Sequence, residues 1–219
     1  MTEIEEPLEI EDRPQSRREW SGWLRSMVLP LMLVAAIAGG LWYFQSRESG
    51  GESDGFGIVG LPEGKNATGR VPAAEAGRAA PDFLLTTLDG GTLRLSDLQG
   101  KPILVNFFAT WCVTCRAEMP DLIKTYEQYK SRGLVVIGVN LQEAGDQVRP
   151  FVQRFGMTFP VIMDRRGQVA AAWRIGGPTS GLPSSYFIDA SGVIRKVVFG
   201  QLSTKDIESG LYLVLRQGS

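Results

Sequence analysis

The chain has 219 residues, 43% of them hydrophobic and 21% charged, with 23 basic side chains set against 24 acidic ones for a formal net charge of −1. That balance marks a globular protein and excludes a polybasic tail or patch built to hold nucleic acid. With no histidine and 2 cysteines, the chain also lacks the ligands for a structural zinc site, which needs about four and prefers Cys and His.

Residues 1–26 mix charges without a sustained period and are expected to form a short tail with no fold of its own. Residues 26–46 then carry no charge at all. A helix over 27–46, at ~1.5 Å per residue, covers about 30 Å, the thickness of a bilayer's hydrocarbon core, so this segment is expected to be a transmembrane anchor. Trp20 and Trp23 precede it and Trp42, Tyr43 and Phe44 close it, as suits rings with a polar edge at the two interfaces. Arg13, Arg17, Arg18 and Arg25 lie before the span and only Arg47 lies close after it. The positive-inside rule therefore keeps the N-terminus in the cytoplasm and places the rest of the chain outside. A buried core helix is disfavoured because the segment shows no polar face. A cleaved export signal has some support in Ala36-Ile37-Ala38 and in Arg17-Arg18, but the apolar run continues past such a cut to Phe44. Either outcome exports the domain. Residues 47–80, rich in Gly, Ser, Ala and scattered charge, are expected to be a flexible linker with a reach near ~30 Å.

Folded sequence is expected from residue 81 to 219. Phe83-Leu84-Leu85-Thr86 and Thr92-Leu93-Arg94-Leu95 flank Asp89-Gly90-Gly91, a hairpin composition. The run 102–108 is nearly all apolar and reads as a strand buried on both faces. A helix-like stretch from 113 to about 130 follows, then a second buried strand over 134–139. Strand, helix, strand implies parallel pairing with a right-handed crossover. A helix over 146–155, a short strand over 161–163 and a short helix over 168–173 come next. Residues 185–189 and 193–198 bracket Ala190-Ser191-Gly192 as an antiparallel hairpin, and a last helix starting near Ser203-Thr204 carries Ile207, Leu211 and Leu215 at helical spacing.

Both cysteines fall in Trp111-Cys112-Val113-Thr114-Cys115, at the junction of a strand and a helix. Such a C-x-x-C pair can carry two electrons. At a helix's first turn the unsatisfied backbone N–H groups and the positive end of the dipole favour thiolate, the attacking species. A permanent structural disulfide is the plain alternative, encouraged by export. A bridge closing so short a loop constrains little of the unfolded chain, which favours the redox role.

From about Pro81 onward the sequence resembles the membrane-anchored TlpA/ResA and DsbE-type thiol-disulfide oxidoreductases of the thioredoxin superfamily. The resemblance rests on residues 105–120 around the C-x-x-C and on Gly181-Leu182-Pro183-Ser184-Ser185-Tyr186-Phe187-Ile188-Asp189. It implies a thioredoxin-like α/β fold: a central mixed sheet flanked by helices, with an N-terminal β-hairpin. It also implies that Cys112 is the exposed nucleophile and Cys115 the resolving thiol. Pro183 is then a cis-proline that exposes the backbone of Leu182 to an extended substrate, and Trp111, Leu182 and Pro183 contact that substrate. Thioredoxins proper carry a buried acid where this chain has Asn106. By resemblance Glu143, after the next strand, serves the cysteines as proton acceptor from an apolar cleft that raises its pKa.

The implied activity is a protein-disulfide reductase acting on clients such as apocytochrome c, in cytochrome c maturation, or copper-delivery proteins. It uses no cofactor and no metal, and a membrane electron donor of the DsbD/CcdA type re-reduces it. The site is a cell membrane, single-pass, with the N-terminus cytoplasmic and the catalytic domain on the periplasmic side. The motif lacks the histidine of strongly oxidising relatives, which favours the reducing direction. Two alternatives share the fold. A redoxin-type thiol peroxidase would need Thr or Ser three residues before its cysteine and Pro seven before, where Cys112 has Ala109 and Val105. A copper-binding assembly factor would need a histidine that is absent.

Overall fold

A computed structural model of the chain describes residues 30–40, 56–176 and 181–216. The chain divides into two compact units, Met1–Glu52 and Ser53–Ser219. In the first, residues 30–40 are helical. The expected tail over 1–26 lies outside the described residues, as does part of the expected span over 27–46. Among the described residues no helix is long and apolar enough to cross a membrane.

The second unit is built on a five-stranded mixed sheet. Its strands are β4 (Ile103–Phe108), β5 (Val135–Leu141), β6 (Val161–Asp164), β7 (Ser184–Ile188) and β8 (Ile194–Phe199), in the spatial order β6-β5-β4-β7-β8. The first three run parallel, β7 is antiparallel to β4, and β8 is antiparallel to β7. The thioredoxin-like arrangement expected from the sequence is the one found. A small antiparallel sheet of β1 (Gly57–Ile58), β2 (Phe83–Thr86) and β3 (Thr92–Arg94) contains the expected hairpin. Among the described residues, four α-helices complete the unit: α1 (Val113–Tyr129), α2 (Gly145–Phe155), α3 (Gln168–Ala172) and α4 (Thr204–Leu215).

Every residue of β4 is buried, because side chains alternate across a strand and both faces of this sheet are covered. Leu104 and Phe108 join the core made with Met119 and Leu122 of α1, Val148 of α2 and Leu211 of α4. Ile103, Val105 and Phe107 join the core on the other face, with Phe83, Val169 and Trp173. Trp173 is fully buried there, its ring 4.8 Å from that of Tyr186 and 5.5 Å from that of Phe107. Asn106 sits between Leu104 and Phe108 and so points to the α1 face. It is the one polar residue of β4.

The expected linker is shorter than its composition suggested. Residues 47–55 lie outside the described residues, but 56–80 are part of the folded unit. Gly57 and Ile58 pair with Leu84 and Phe83, and Ala79 bridges to Val193. Ala80 N donates to Gly192 O at 3.0 Å, and Ile194 N donates to Arg78 O at 2.9 Å. Ala74, Ala79 and Ala80 are buried. Small side chains read as flexibility in the sequence, yet here they let an irregular backbone lie against the β7–β8 turn and exchange hydrogen bonds with it.

Candidate active site

Strand β4 ends at Phe108 and the chain reaches Cys112 through Ala109, Thr110 and Trp111. Cys112 is the N-cap of α1, with extended backbone angles, and its sulfur accepts a hydrogen bond from Cys115 N at 3.1 Å. The two cysteines form a disulfide with their Cα atoms 5.2 Å apart. Cys112 is 5% exposed and Cys115 is not exposed at all, so an incoming sulfur finds Cys112 first. Trp111 and Val113 flank it and are 65% and 75% exposed, giving an apolar rim around a nearly buried sulfur.

The Leu182–Pro183 peptide bond is cis, as the resemblance implied. Its place follows from the sheet: Phe107 pairs with Ser184, so the next position of the antiparallel ladder brings Pro183 beside the end of β4, where the cysteine loop begins. Pro183 O accepts from Gly200 N at 2.8 Å, which ties it to the end of β8. Leu182 is half-buried and touches both cores.

Glu143 differs from expectation in its surroundings. Gln142, in the left-handed region at φ 52°, turns the chain sharply after β5. Glu143 then reaches back under the cysteine loop and accepts hydrogen bonds from Thr110 N at 2.7 Å, from Thr110 Oγ1 and from Asn140 Nδ2 at 2.7 Å. It is held in a polar socket rather than an apolar cleft, and that socket fixes the residue two before Cys112. Arg116 Nε holds the other side of Thr110 through its carbonyl at 2.7 Å.

The carboxylate that does sit inside the core is Glu118, which sequence reasoning passed over. Three residues after Cys115 on α1, it shares a helix face with that cysteine. It is fully buried. Burial pushes its pKa up to about 7, against the pull of hydrogen bonds from Leu202 N and from the Asn106 amide, with Asp121 adding a smaller push upward. Both donors lie at 2.7 Å, and the same Asn106 amide nitrogen also donates to Ser185 Oγ at 2.9 Å. The available signal was the spacing Cys115-x-x-Glu118 together with a polar Asn106 on the facing side of β4. Among the described residues no group of three or more His, Cys, Asp or Glu could hold a metal ion.

This arrangement can pass two electrons between its own sulfurs and those of another molecule, with a buried carboxyl group, its pKa pushed up to about 7 by burial, one helical turn along α1 from the buried cysteine. Known proteins agree. Residues 76–197 match the AhpC/TSA family. The thiol-disulfide oxidoreductase ResA of Geobacillus kaustophilus is 40% identical over 139 residues, 64% of this chain and 78% of the relative. The protein of the same name from Oceanobacillus iheyensis is 38% identical over 191 residues, 85% of each chain. The crystal structure of a putative thiol:disulfide interchange protein DsbE from Chlorobium tepidum superposes with a TM-score of 0.59 at 28% identity, covering 64% of this chain and 98% of that one. The chain therefore belongs to the AhpC/TSA family of thioredoxin-like proteins, and within it to the ResA-like thiol-disulfide oxidoreductases.

Proposed function

We propose that this oxidoreductase works as a disulfide reductase outside the cytoplasm, tethered through residues 27–46. In the forward direction Cys112 Sγ, as thiolate, attacks one sulfur of a client disulfide and expels the other as thiolate. Cys115 then loses its proton, attacks Cys112 Sγ and releases the second client sulfur, so the client gains two electrons and the pair becomes a disulfide. The observation that carries this cycle is the pairing of a reachable Cys112 with a buried Cys115, one helical turn from a Glu118 raised to about 7. A carboxylate with that pKa takes up the Cys115 proton near neutral pH. Glu143 holds the loop that aims Cys112, while Trp111, Leu182 and Pro183 supply the surface on which an extended client segment lies.

The reducing direction is supported by a motif without a histidine to stabilise the reduced form further. The tether is supported by the charge-free run over 26–46 and its arginine asymmetry, and by the Oceanobacillus relative, whose likeness covers 85% of this chain and so extends beyond the folded unit. Apocytochrome c awaiting haem, in cytochrome c maturation, and copper-delivery proteins are the client class, and a DsbD/CcdA-type membrane protein is the electron donor. A peroxidase role is disfavoured by Ala109 and Val105, which offer no hydroxyl or proline where that chemistry places them.

The test is the reduction potential of the full chain. A value near thioredoxin's, about −270 mV, is expected; one near the strong oxidants' −120 mV or so refutes the reductase assignment. Replacing Cys115 with Ala in cells should leave clients covalently trapped on Cys112, and their identity names the client class.

A further inference from the structure

The turns that follow the three parallel strands lie at one end of the sheet and are joined to one another. Thr110, in the cysteine loop after β4, is held by Glu143 from the turn after β5. Gln142 N in turn donates to Asp164 O, at the end of β6, at 3.1 Å. A Cβ built on Gly167 would lie 2.8 Å from Gln142 Nε2, so that side chain lies across the turn after β6. Strands β4 and β6 are two spacings apart, about 10 Å, and their turns therefore make one surface. Over residues 109–116, 142–146 and 165–168 its exposed charges are Arg116, Arg165 and Arg166 against Asp146 alone, with Glu143 turned inward onto Thr110.

The chain enters the folded unit at this same end. Phe56 lines a cleft of about 260 Å³ together with Thr86, Met163, Arg165 and Arg166. Only residues 47–55 separate it from the segment that carries no charge, and nine residues reach about 30 Å at full extension. A compact domain of this size is about 40 Å across. Turning the opposite end of the sheet to a bilayer would lift Phe56 by about that width, beyond what the connection can reach.

We propose that Arg165 and Arg166 seat this end of the folded unit on anionic lipid headgroups, with Phe56 between them and the bilayer and Cys112 held to one side above the same surface. This rests on the tether proposed for residues 27–46 and adds the face that the tethered unit presents. An anionic leaflet attracts each arginine near it by about fivefold in affinity, and one exposed carboxylate does not cancel three cations. Phe56, 37% exposed beside those arginines, suits the apolar side of the headgroup layer. Trp111 and Val113 stay clear of it for a client, because the cysteine loop lies two strands away from β6. A disulfide held at the membrane surface then meets Cys112 without the unit turning over, at the raised effective concentration that a shared surface provides.

The experiment reconstitutes the full chain, its two cysteines oxidised, in vesicles of phosphatidylcholine with phosphatidylglycerol and in vesicles of phosphatidylcholine alone. One fluorescent label is placed through Gln168→Cys, or through Lys101→Cys before β4 at the opposite end of the sheet. Energy transfer to an acceptor dye on the headgroups gives the height of each. With phosphatidylglycerol present, the label at 168 is expected to lie about 20 Å nearer the headgroups than the one at 101, the length of the 6 residues of β4. Replacing both arginines by Gln is expected to shrink that difference to its value in phosphatidylcholine alone, and replacing both by Lys to keep it. Equal heights with phosphatidylglycerol overturn the proposal. So does a difference that phosphatidylcholine alone or the Gln pair leaves intact, because the length of the connection rather than headgroup contact would then set it. A difference seen in native membranes and absent from vesicles gives the surface to a membrane protein and overturns it too. A chain that washes off the vesicles in carbonate sinks the span and this proposal with it, whereas a chain that stays on with equal heights sinks this proposal alone.

Discussion

Glu118 accepts hydrogen bonds from Asn106 and Leu202, which favour its ionised form, but burial outweighs them and pushes its pKa up to about 7. An unfolded glutamate ionises near 4.5. Between those values the unfolded chain gives up its proton while the folded one keeps it, so stability falls as pH rises through that window and levels off above it. The full effect is about 3 kcal/mol. Glu118→Gln removes the titration and exchanges one acceptor for a donor, leaving one buried N–H unmatched at a cost of about 1–3 kcal/mol at every pH. The variant is expected to be the less stable protein at pH 5 and to draw level or pass the unaltered protein by pH 8.5. Urea midpoints at the two pH values check this, and parallel curves would contradict it. If Glu118 takes up the Cys115 proton as proposed, the same variant lengthens the lifetime of the mixed disulfide. Spacing in the sequence picked out both cysteines, whereas the cis-proline followed from the family resemblance, because nothing in the residues around Pro183 alone distinguishes it from an ordinary trans loop proline. Sequence pattern missed Glu118 because that side chain's importance comes from partners 12 and 84 residues away, while a glutamate on a helix ordinarily reads as solvated face. Glu143 was legible as a residue but not in its surroundings, which depend on the left-handed turn at Gln142.

The elements that sequence pattern located best are those whose burial is periodic or continuous. Strand β4 is apolar but for Asn106 and is buried throughout, and α4 carries Ile207, Leu211 and Val214 towards the sheet. Strand β1 was invisible, because two residues within a glycine-rich stretch have no period, and only their pairing with β2 makes them a strand. Helix α4 also holds a glycine that composition cannot explain. A Cβ built on Gly210 would lie 2.5 Å from two ring carbons of Phe187, which is itself fully buried on β7. Alanine in a helix interior ordinarily gains about 1 kcal/mol over glycine. Here the overlap falls on a rigid ring, and overpacking costs about 1–3 kcal/mol or more. Gly210→Ala is therefore expected to lower stability, by about 1–2 kcal/mol, with the redox equilibrium of the cysteines unchanged. Thermal unfolding decides the sign, and a stabilised variant would mean that α4 can slide off β7.

At the scale of the whole chain, the folded unit begins before the first residue that looks like core. Residues 77–80 run beside the start of β8: Gly77 N donates to Ile194 O at 2.8 Å, Ile194 N to Arg78 O, and Ala80 N to Gly192 O. Further upstream, Arg94 Nη2 donates to Gly60 O at 2.7 Å and Gln99 Nε2 to Lys65 O at 2.8 Å, so the hairpin and the turn after it are tied to the same segment. Each such bond contributes about 0.5–1.5 kcal/mol net. Burial adds to them: Ala79 and Ala80 are nearly inaccessible, and the segment covers the edge of a core that contains Phe83, Ile188 and Ile194. Two fragments, 53–219 and 81–219, separate these contributions. The longer one is expected to unfold at higher urea and with a larger m-value, because m grows with the surface exposed on unfolding and its native state hides more. Should the midpoints coincide, residues 56–80 would be a covering that the core does not need. A lower midpoint and smaller m for 81–219 would instead make the segment part of the cooperative unit that carries the cysteines.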